Sequence, residues 1–346
     1  MNNRQNQKKD RLEPYLKKYM NLFVFDEFTP AYLQREGLEG VMRGVAVPFR
    51  SSQFSAFLNG DGLRITDMIE NMVWVLGVDP DFAYLQQYKA YMKHYFKEGL
   101  SEGIEAISIK AAEEGDLEKA CLLVRGAMAI DSQNMDALYL YAGICRQIYQ
   151  KAAGEGNVKE IPPHEVGEYI GRFKAESMEA YEELTIGRPD FAPAHYYLGY
   201  AYLNMGLYRK AQLTLKDYLK HSSDEETIGE IKDRLKQLEE PIRIEEGCNA
   251  ISAGKWEEGI QVLEPYLASD YRMWWPLHYY LGIAYVRIGM LSDGEERLKD
   301  ALSLVPSQVD CMEELADIYG MLGDVERENK YRKKIEILTG ELIKDN

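Results

Sequence analysis

Residues that could perform chemistry occur in this chain of 346 residues, but their spacing does not build a recognisable catalytic or metal centre. His94, His164 and His221 have no second His or Cys at the spacing by which one helix presents two metal ligands. The cysteines form no CxxC pair and lie inside apolar helical stretches, which predicts buried free thiols. These cysteines are Cys121, Cys145, Cys248 and Cys311.

Three glycines, Gly37, Gly40 and Gly44, are spaced in a way that superficially suggests a phosphate-binding loop. Such a loop also needs a preceding strand, a Lys and a Ser or Thr, and these do not accompany the glycines. Acidic runs such as Glu113 and Glu114 fall at helix ends or on outer faces, where a solvated position is expected. We therefore expect a protein that is not an enzyme and that uses neither a cofactor nor a metal.

The distribution of charge divides the chain near residue 100. The net charge is -16, which argues against a nucleic-acid partner because phosphate binding needs a basic patch. Residues 1–100 carry 13 Lys and Arg against 12 Asp and Glu, whereas the rest of the chain carries 28 against 45. The N-terminus has no apolar run that fits a signal peptide or a spanning helix, so we expect a cytoplasmic protein without membrane insertion.

The near-neutral part, residues 1–98, is predicted to be a small, mainly helical domain. Hydrophobic patterning predicts an amphipathic helix over residues 12–28, a Gly-rich extended segment over 37–57, and helices over 66–76 and 81–96. The last two helices have an alternative interpretation as a degenerate helix pair stacked on the rest of the chain.

An internal repeat organises residues 101–346, which we call the repeat array. Leu281, Gly282 and Tyr285 recur as Leu198, Gly199 and Tyr202, and further copies follow at a period of about 34 residues. The period predicts six repeats, the second with an insertion at 151–171 and the third with a longer helix near 223–226. The repeats span residues 101–134, 135–191, 192–239, 240–274, 275–308 and 309–342.

This pattern resembles the tetratricopeptide repeat, in which one helix carries L-G-x2-Y and the next carries A-x3-F. Small residues such as Gly199 and Gly282 allow two helices to approach closely, and Gly206 and Gly289 end the first helix of their pairs. The resemblance implies an all-α fold. It would be a right-handed α-solenoid of about six helix pairs, preceded by the small N-terminal domain.

The resemblance also implies a concave groove lined by the first helix of each pair, with a protein or peptide as the partner. The positions that alternate with the core positions form an aromatic and aliphatic strip, which suits an amphipathic helix or an extended peptide. Several of its tyrosines could instead pack between repeats. The predicted groove residues are Tyr139, Arg146, Tyr196, Tyr200, Leu203, Asn204, Ile244, Tyr279, Ile283 and Arg287.

These observations favour a non-catalytic interaction module or scaffold. One alternative is a peptide-responsive cytosolic regulator whose N-terminal domain is the effector; a basic recognition helix is missing there, so that effector would bind protein rather than DNA. Another is that residues 41–57, which are rich in Val and Phe, fold back into the groove as an internal ligand.

Overall fold

A computed structural model describes residues 10–51 and 64–340, and in these ranges the chain is helical apart from one two-stranded sheet. The chain contacts divide it into two compact units, residues 1–198 and 199–346, which we call unit 1 and unit 2. The division falls inside a helix of the array, whereas the sequence places a boundary between residues 98 and 101. That boundary stays a prediction.

Unit 1 contains the sheet and nine complete helices within its described residues. The strands are β1 (Phe23–Asp26) and β2 (Val47–Arg50), which pair antiparallel. The helices are α1 (Glu13–Leu16), α2 (Pro30–Glu36), α3 (Glu39–Met42), α4 (Ile65–Val78), α5 (Leu85–Tyr95), α6 (Leu100–Glu113), α7 (Leu117–Ile130), α8 (Met135–Glu155) and α9 (Val166–Gly187).

The helix predicted over residues 12–28 is wrong for its second half. After α1 and a 3₁₀ turn the chain becomes extended at β1, because Phe23 and its neighbours favour a strand and find a partner in β2. The backbone carbonyl of Pro48 in β2 accepts a hydrogen bond from Nδ2 of the buried Asn71 in α4, at 3.1 Å. The small sheet is thereby fixed to a helix.

The extended segment predicted over residues 37–57 is only partly correct. Gly37 ends α2 with a φ of 69°, a short helix follows, and β2 begins at Val47. The Tyr88 hydroxyl of α5 donates to the Ala46 carbonyl at 2.6 Å, so this stretch packs on α4 and α5. Residues 52–57 of the suggested internal ligand lie outside the described residues.

The alternative of a helix pair over residues 66–96 is wrong, because α4 packs chiefly against α7 rather than against α5. Two glycines permit the close approach. A Cβ on Gly77 would lie 2.0 Å from the carbonyl oxygen of Leu122, and one on Gly126 would lie 2.2 Å from that of Val73. The α4–α7 crossing therefore depends on the absence of both side chains.

The N-terminal segment is attached to the second helices of the repeats. Arg125 of α7 is only 8% exposed; its Nε donates to the Gly77 carbonyl at 2.7 Å and its guanidinium pairs with Asp10. Arg11 pairs with Glu176 and Glu179 of α9. Buried charges are tolerated when they are paired in this way.

The helices α6 and α7 form one pair and α8 and α9 form the next. Hydroxyl groups tie both pairs: Ser108 donates to the Ala120 carbonyl at 2.9 Å, and Ser177 donates to the Ala142 carbonyl at 2.8 Å. The predicted insertion at residues 151–171 is mostly helical, because α8 and α9 extend to 21 and 22 residues. Only residues 156–165 connect them, beginning at Gly156 with a φ of 66°.

Unit 2 continues the repeat array from residue 199, inside α10, and its described residues end at residue 340. Its helices begin with the C-terminal part of α10 (Ala192–Leu203) and continue with α11 (Tyr208–His221), α12 (Glu225–Gln237), α13 (Glu239–Ser252), α14 (Trp256–Leu263), α15 (Trp275–Arg287), α16 (Leu291–Leu304), α17 (Val309–Leu322) and α18 (Val325–Thr339).

Two departures from the repeat pattern lie in unit 2. The longer helix expected near residues 223–226 is instead a separate helix, α12, because Ser222 is extended and the Asp224 side chain caps the new N-terminus. In the next pair α14 has only eight residues, and two 3₁₀ turns over residues 264–273 replace its last turns.

Three of the four pairs of unit 2 share one contact between a glycine of the first helix and a leucine of the second. A Cβ on Gly199, Gly247 or Gly282 would come within 2.5–2.7 Å of the side chain of Leu215, Leu263 or Leu298, respectively. Gly206 and Gly289 end their helices with φ values of 72° and 87°, as predicted. The expected all-α solenoid of six tetratricopeptide-like pairs is confirmed, with α12 as an additional helix.

The four cysteines are buried, each at 7% exposure or less. Burial raises the pKa of Cys248 and of Cys311 to about 12. The Cys248 and Cys311 thiols are therefore protonated in the folded chain, and burial makes all four sulfurs inaccessible.

The α4–α7 crossing predicts opposite effects for two glycine-to-alanine changes. We expect Gly126→Ala to lower the free energy of unfolding by about 3 kcal/mol, because the added methyl group meets backbone atoms that cannot move aside easily. Gly171→Ala lies on α9 with no heavy atom near the new methyl group, and should raise it by up to about 1 kcal/mol. Urea denaturation of both variants measures the difference, and equal values would contradict the described crossing.

Candidate functional site

The predicted groove residues lie on the first helices of the pairs, as the repeat pattern requires. In unit 1 these are Tyr139, Arg146 and Tyr196, all half-buried. In unit 2, Tyr200, Leu203, Tyr279 and Ile283 are half-buried, whereas Asn204 and Arg287 are exposed. Ile244 differs from all of them, because it is only 2% exposed.

Ile244 is nearly buried, yet it also borders a pocket of unit 2 together with Tyr208 and Pro241, so its place in the groove stays a prediction. Its side chain belongs to the core formed with Leu263, Leu277 and Leu281. The 3₁₀ turns after α14 explain this burial, since Tyr266 and Tyr271 pack against the same cluster. The repeat pattern does not specify these 3₁₀ turns, so the sequence does not predict that Tyr266 and Tyr271 cover Ile244.

Unit 1 contains an open pocket of about 320 Å³ between the first helices of its pairs, which we call the tyrosine pocket. Its walls come from α6, α8, α9 and α10. Its lining residues are Ile109, Ala112, Glu113, Tyr139, Leu140, Gly143, Ile144, Arg146, Gln147, Tyr181 and Tyr197.

Three aromatic rings form a continuous wall of the tyrosine pocket. The rings of Tyr181 and Tyr197 are stacked with centroids 5.4 Å apart, and the edge of Tyr139 meets Tyr181 at 6.4 Å. The Arg146 guanidinium lies over the Tyr197 ring at 4.4 Å. These contacts hold the side chains in fixed positions before any ligand arrives.

Tyr181 reaches the pocket because it occupies a core position with an oversized side chain. In the A-x3-F pattern it holds the second-helix position that Leu215, Leu263 and Leu298 hold in unit 2. A leucine ends between the two helices, whereas the tyrosine hydroxyl extends to 3.9 Å from a Cβ placed on Gly143. Because Gly143 has no side chain, the hydroxyl borders the open pocket.

Two polar groups of the tyrosine pocket lack hydrogen-bond partners. Tyr181 is only 1% exposed, and its hydroxyl faces the Arg146 guanidinium without making a hydrogen bond of ordinary geometry to any described residue. The buried Nε of Arg146 also makes no hydrogen bond to a described residue. The Nη1 atom of Arg146 donates to the neutral amide of Gln150 at 3.2 Å. Burial raises the pKa of Tyr181 while Arg146 lowers it, and the net upward shift keeps the hydroxyl protonated as a donor.

Sequence reasoning missed Tyr181, Tyr197 and Glu113 as candidate site residues. The repeat pattern places Tyr181 on a second helix, where side chains at this position usually pack inside the pair. The hydroxyl itself was the available signal: a Tyr where the pattern has Phe or Leu adds a polar atom that must find a partner or a cavity.

Unit 2 offers a second aromatic surface around Tyr208 and Pro241, which border two adjoining pockets of about 450 and 290 Å³. The larger is lined by the predicted residues Tyr200, Leu203 and Asn204. The smaller includes Tyr271, Met273 and Trp274 from the 3₁₀ turns and their C-terminal end.

The remaining predicted residues are partly engaged with their neighbours. Tyr279 contacts Trp275 and Tyr280, with ring centroids 5.9 and 5.5 Å away, and its burial raises its pKa to about 12. Arg287 pairs with Glu314 at 3.1 Å. Their surface is therefore less open than the tyrosine pocket.

Within residues 10–51 and 64–340, no group of three or more His, Cys, Asp and Glu side chains is arranged to hold a metal ion. Among the same residues no helix combines the length and apolarity needed to cross a membrane.

Comparisons with known proteins concern the fold. No protein-family profile and no curated protein matches the chain. Among solved structures, the tetratricopeptide domain of P58(IPK) is 19% identical, with a TM-score of 0.40. That match covers 71% of this chain and 61% of the other.

Two further solved structures are similar at lower scores. PilW, described as a type IV pilus biogenesis factor, is 14% identical with a TM-score of 0.32, covering 69% of this chain and 93% of its own. YrrB, described as a tetratricopeptide protein with an unusual peptide-binding site, is 11% identical with a TM-score of 0.27, covering 62% and 91%. Each of these similarities is a likeness of fold.

The unpartnered hydroxyl predicts a contrast between two buried tyrosines. We expect Tyr181→Phe to leave the free energy of unfolding unchanged or slightly higher, because no hydrogen bond is lost. Tyr141→Phe removes a donor to the Glu176 carboxylate at 2.7 Å and should cost about 1.5–3 kcal/mol. Chemical denaturation compares the two variants; an equal loss at Tyr181 would mean that its hydroxyl is already satisfied in the free protein.

Proposed function

We propose that this chain is a non-catalytic interaction module that holds a peptide segment of another protein, with one anchoring side chain in the tyrosine pocket. The observation that supports it is an open pocket with aromatic walls and two unsatisfied buried polar groups. Binding sites usually combine an apolar lining with a few polar groups that fix orientation.

The size and surroundings of the pocket favour a peptide over a free small molecule. A volume of about 320 Å³ lies at the lower end of the roughly 300–1,000 Å³ usual for ligand sites, so it suits one large side chain. Apolar surface continues beyond it, because Ile109 at its border is 42% exposed. A peptide can fill the pocket with one residue and cover the adjoining apolar surface with the next.

Unit 2 supports the same proposal independently. Trp274 is 37% exposed and Met273 is 67% exposed. They border the smaller pocket, which shares Tyr208 and Pro241 with the pocket lined by the predicted residues Tyr200, Leu203 and Asn204. Large exposed aromatic and Met side chains are typical of surfaces that bind another protein. We propose this surface as an additional contact for the same class of partner.

Peptide selection tests the proposal without knowledge of the natural partner. The full chain, immobilised, selects binders from a display library of random 12-residue peptides. We expect peptides to be enriched by the native chain and by Gly154→Leu, but not by Gly143→Leu, whose side chain fills the tyrosine pocket. Gly154 is a matched control because it is exposed on the same helix with no atom near a new Cβ.

Either of two results would count against the proposal. Absence of enrichment on the native chain would reject a peptide-binding function. Equal enrichment by both leucine variants, each shown to be folded by circular dichroism, would move the binding surface away from the tyrosine pocket.

A second candidate, the peptide-responsive regulator, is favoured by the contacts of α9. This helix carries Tyr181 into the pocket and also binds the N-terminal segment, since Glu176 and Glu179 pair with Arg11. Arg172 of the same helix donates to the Arg11 carbonyl at 2.7 Å. Occupancy of the pocket and docking of the N-terminal segment therefore share one helix.

The two candidates differ in the effect of Arg11→Ala on the affinity for a selected peptide. A regulator requires coupling between the two sites, so its affinity should change about fivefold or more. A passive scaffold should keep its affinity within about twofold. Fluorescence anisotropy with a labelled peptide distinguishes them.

A further inference from the structure

We infer that the tyrosine pocket takes the carboxylate of an Asp or Glu side chain in the bound peptide. This inference rests on the proposed function and specifies the chemistry of its anchoring residue. Its starting point is Arg146, a half-buried guanidinium that forms no salt bridge with a carboxylate of the described residues.

Other half-buried or buried arginines of the same unit have an acidic partner. Arg125 pairs with Asp10, Arg172 with Glu168. Arg146 has only the neutral amide of Gln150 and the face of the Tyr197 ring. A partly desolvated cation without a counter-charge is costly, so an anionic ligand gains more here than at a solvated arginine.

The second donor is the Tyr181 hydroxyl. It is buried and protonated, it faces the Arg146 guanidinium without a hydrogen bond of ordinary geometry, and it borders the pocket opposite Gly143. A carboxylate has two oxygens and can accept from the Arg146 guanidinium and from this hydroxyl together. Both Nε and the hydroxyl have almost no accessible surface in the free chain, so binding must displace the side chains that cover them. Such charge-assisted bonds are about twice as strong as neutral ones.

The rest of the lining selects among anions. Glu113 lies in the same pocket, so a phosphate with nearly two negative charges would meet more repulsion than a carboxylate with one. Ile109, Ala112 and Leu140 provide aliphatic surface next to the polar groups. We therefore expect the acidic residue to be followed or preceded by an apolar one.

The peptides selected by the native chain provide the test. We expect them to share Asp or Glu at one fixed position beside an apolar residue. In one such synthetic peptide, replacing the acid by its amide should weaken binding to the native chain about tenfold or more, as for loss of a charged hydrogen bond. For the Arg146→Met variant, the same replacement of the acid by its amide should change the affinity by no more than about twofold.

Arg332→Met is the control, because Arg332 is half-exposed on α18 and pairs with Glu328 and Asp317 outside both candidate sites. It should retain the tenfold preference for the acid. Tyr181→Phe should reduce that preference while leaving the protein folded, which separates binding from stability.

The outcomes distinguish the inference from the function on which it rests. Enriched peptides without a fixed acidic position, or a preference for the acid that persists in Arg146→Met, would overturn the carboxylate and leave peptide binding intact. Tighter binding of phosphoserine than of Glu at that position would also overturn it. Failure to select any peptide would reject the function itself and this inference with it.

Discussion

The contact between a leucine of one helix and a glycine of its partner sets the spacing of three of the four pairs in unit 2. Gly199, Gly247 and Gly282 leave no room for a Cβ, so each leucine opposite rests directly on a helix backbone. The resulting close packing buries large apolar surfaces, such as the Leu298 and Leu315 cluster, at near-zero exposure. This spacing positions the side chains on the outer face of the first helices of these pairs.

Unit 1 modifies that rule and gains a pocket by doing so. In the pair α8–α9 the small residue is Ala142, the opposing residue is Tyr181, and Ser177 makes a hydrogen bond across the pair. The longer side chain extends its hydroxyl to the side lined by Gly143. A single change of residue type at a core position thus carries a polar atom from the inside of a helix pair to its binding surface.

The sequence predicts the pairs because their signals are local: the Gly and Leu positions recur at a fixed period, and Gly206 and Gly289 mark the turns. It does not predict β1, because Phe23–Asp26 continues an apolar pattern that also suits a helix, and only the distant β2 decides the outcome. The near-complete burial of Ile244 is not predicted for the same kind of reason, since its cover comes from turns outside the repeat pattern. The sequence does not predict the role of Tyr181, because that role depends on the open space beside Gly143 that its hydroxyl borders.

The buried thiols lie in four different helices, so the reactivity of each thiol reports the local opening of its own helix pair. Cys121, Cys145, Cys248 and Cys311 lie on α7, α8, α13 and α17, and none can react while its helix pair stays closed. In repeat proteins, stability is close to a sum over repeats and their neighbours, so pairs can open separately. The order in which an alkylating reagent reaches the four sulfurs would therefore rank the pairs by opening free energy, and would show which part of the array a bound peptide holds closed.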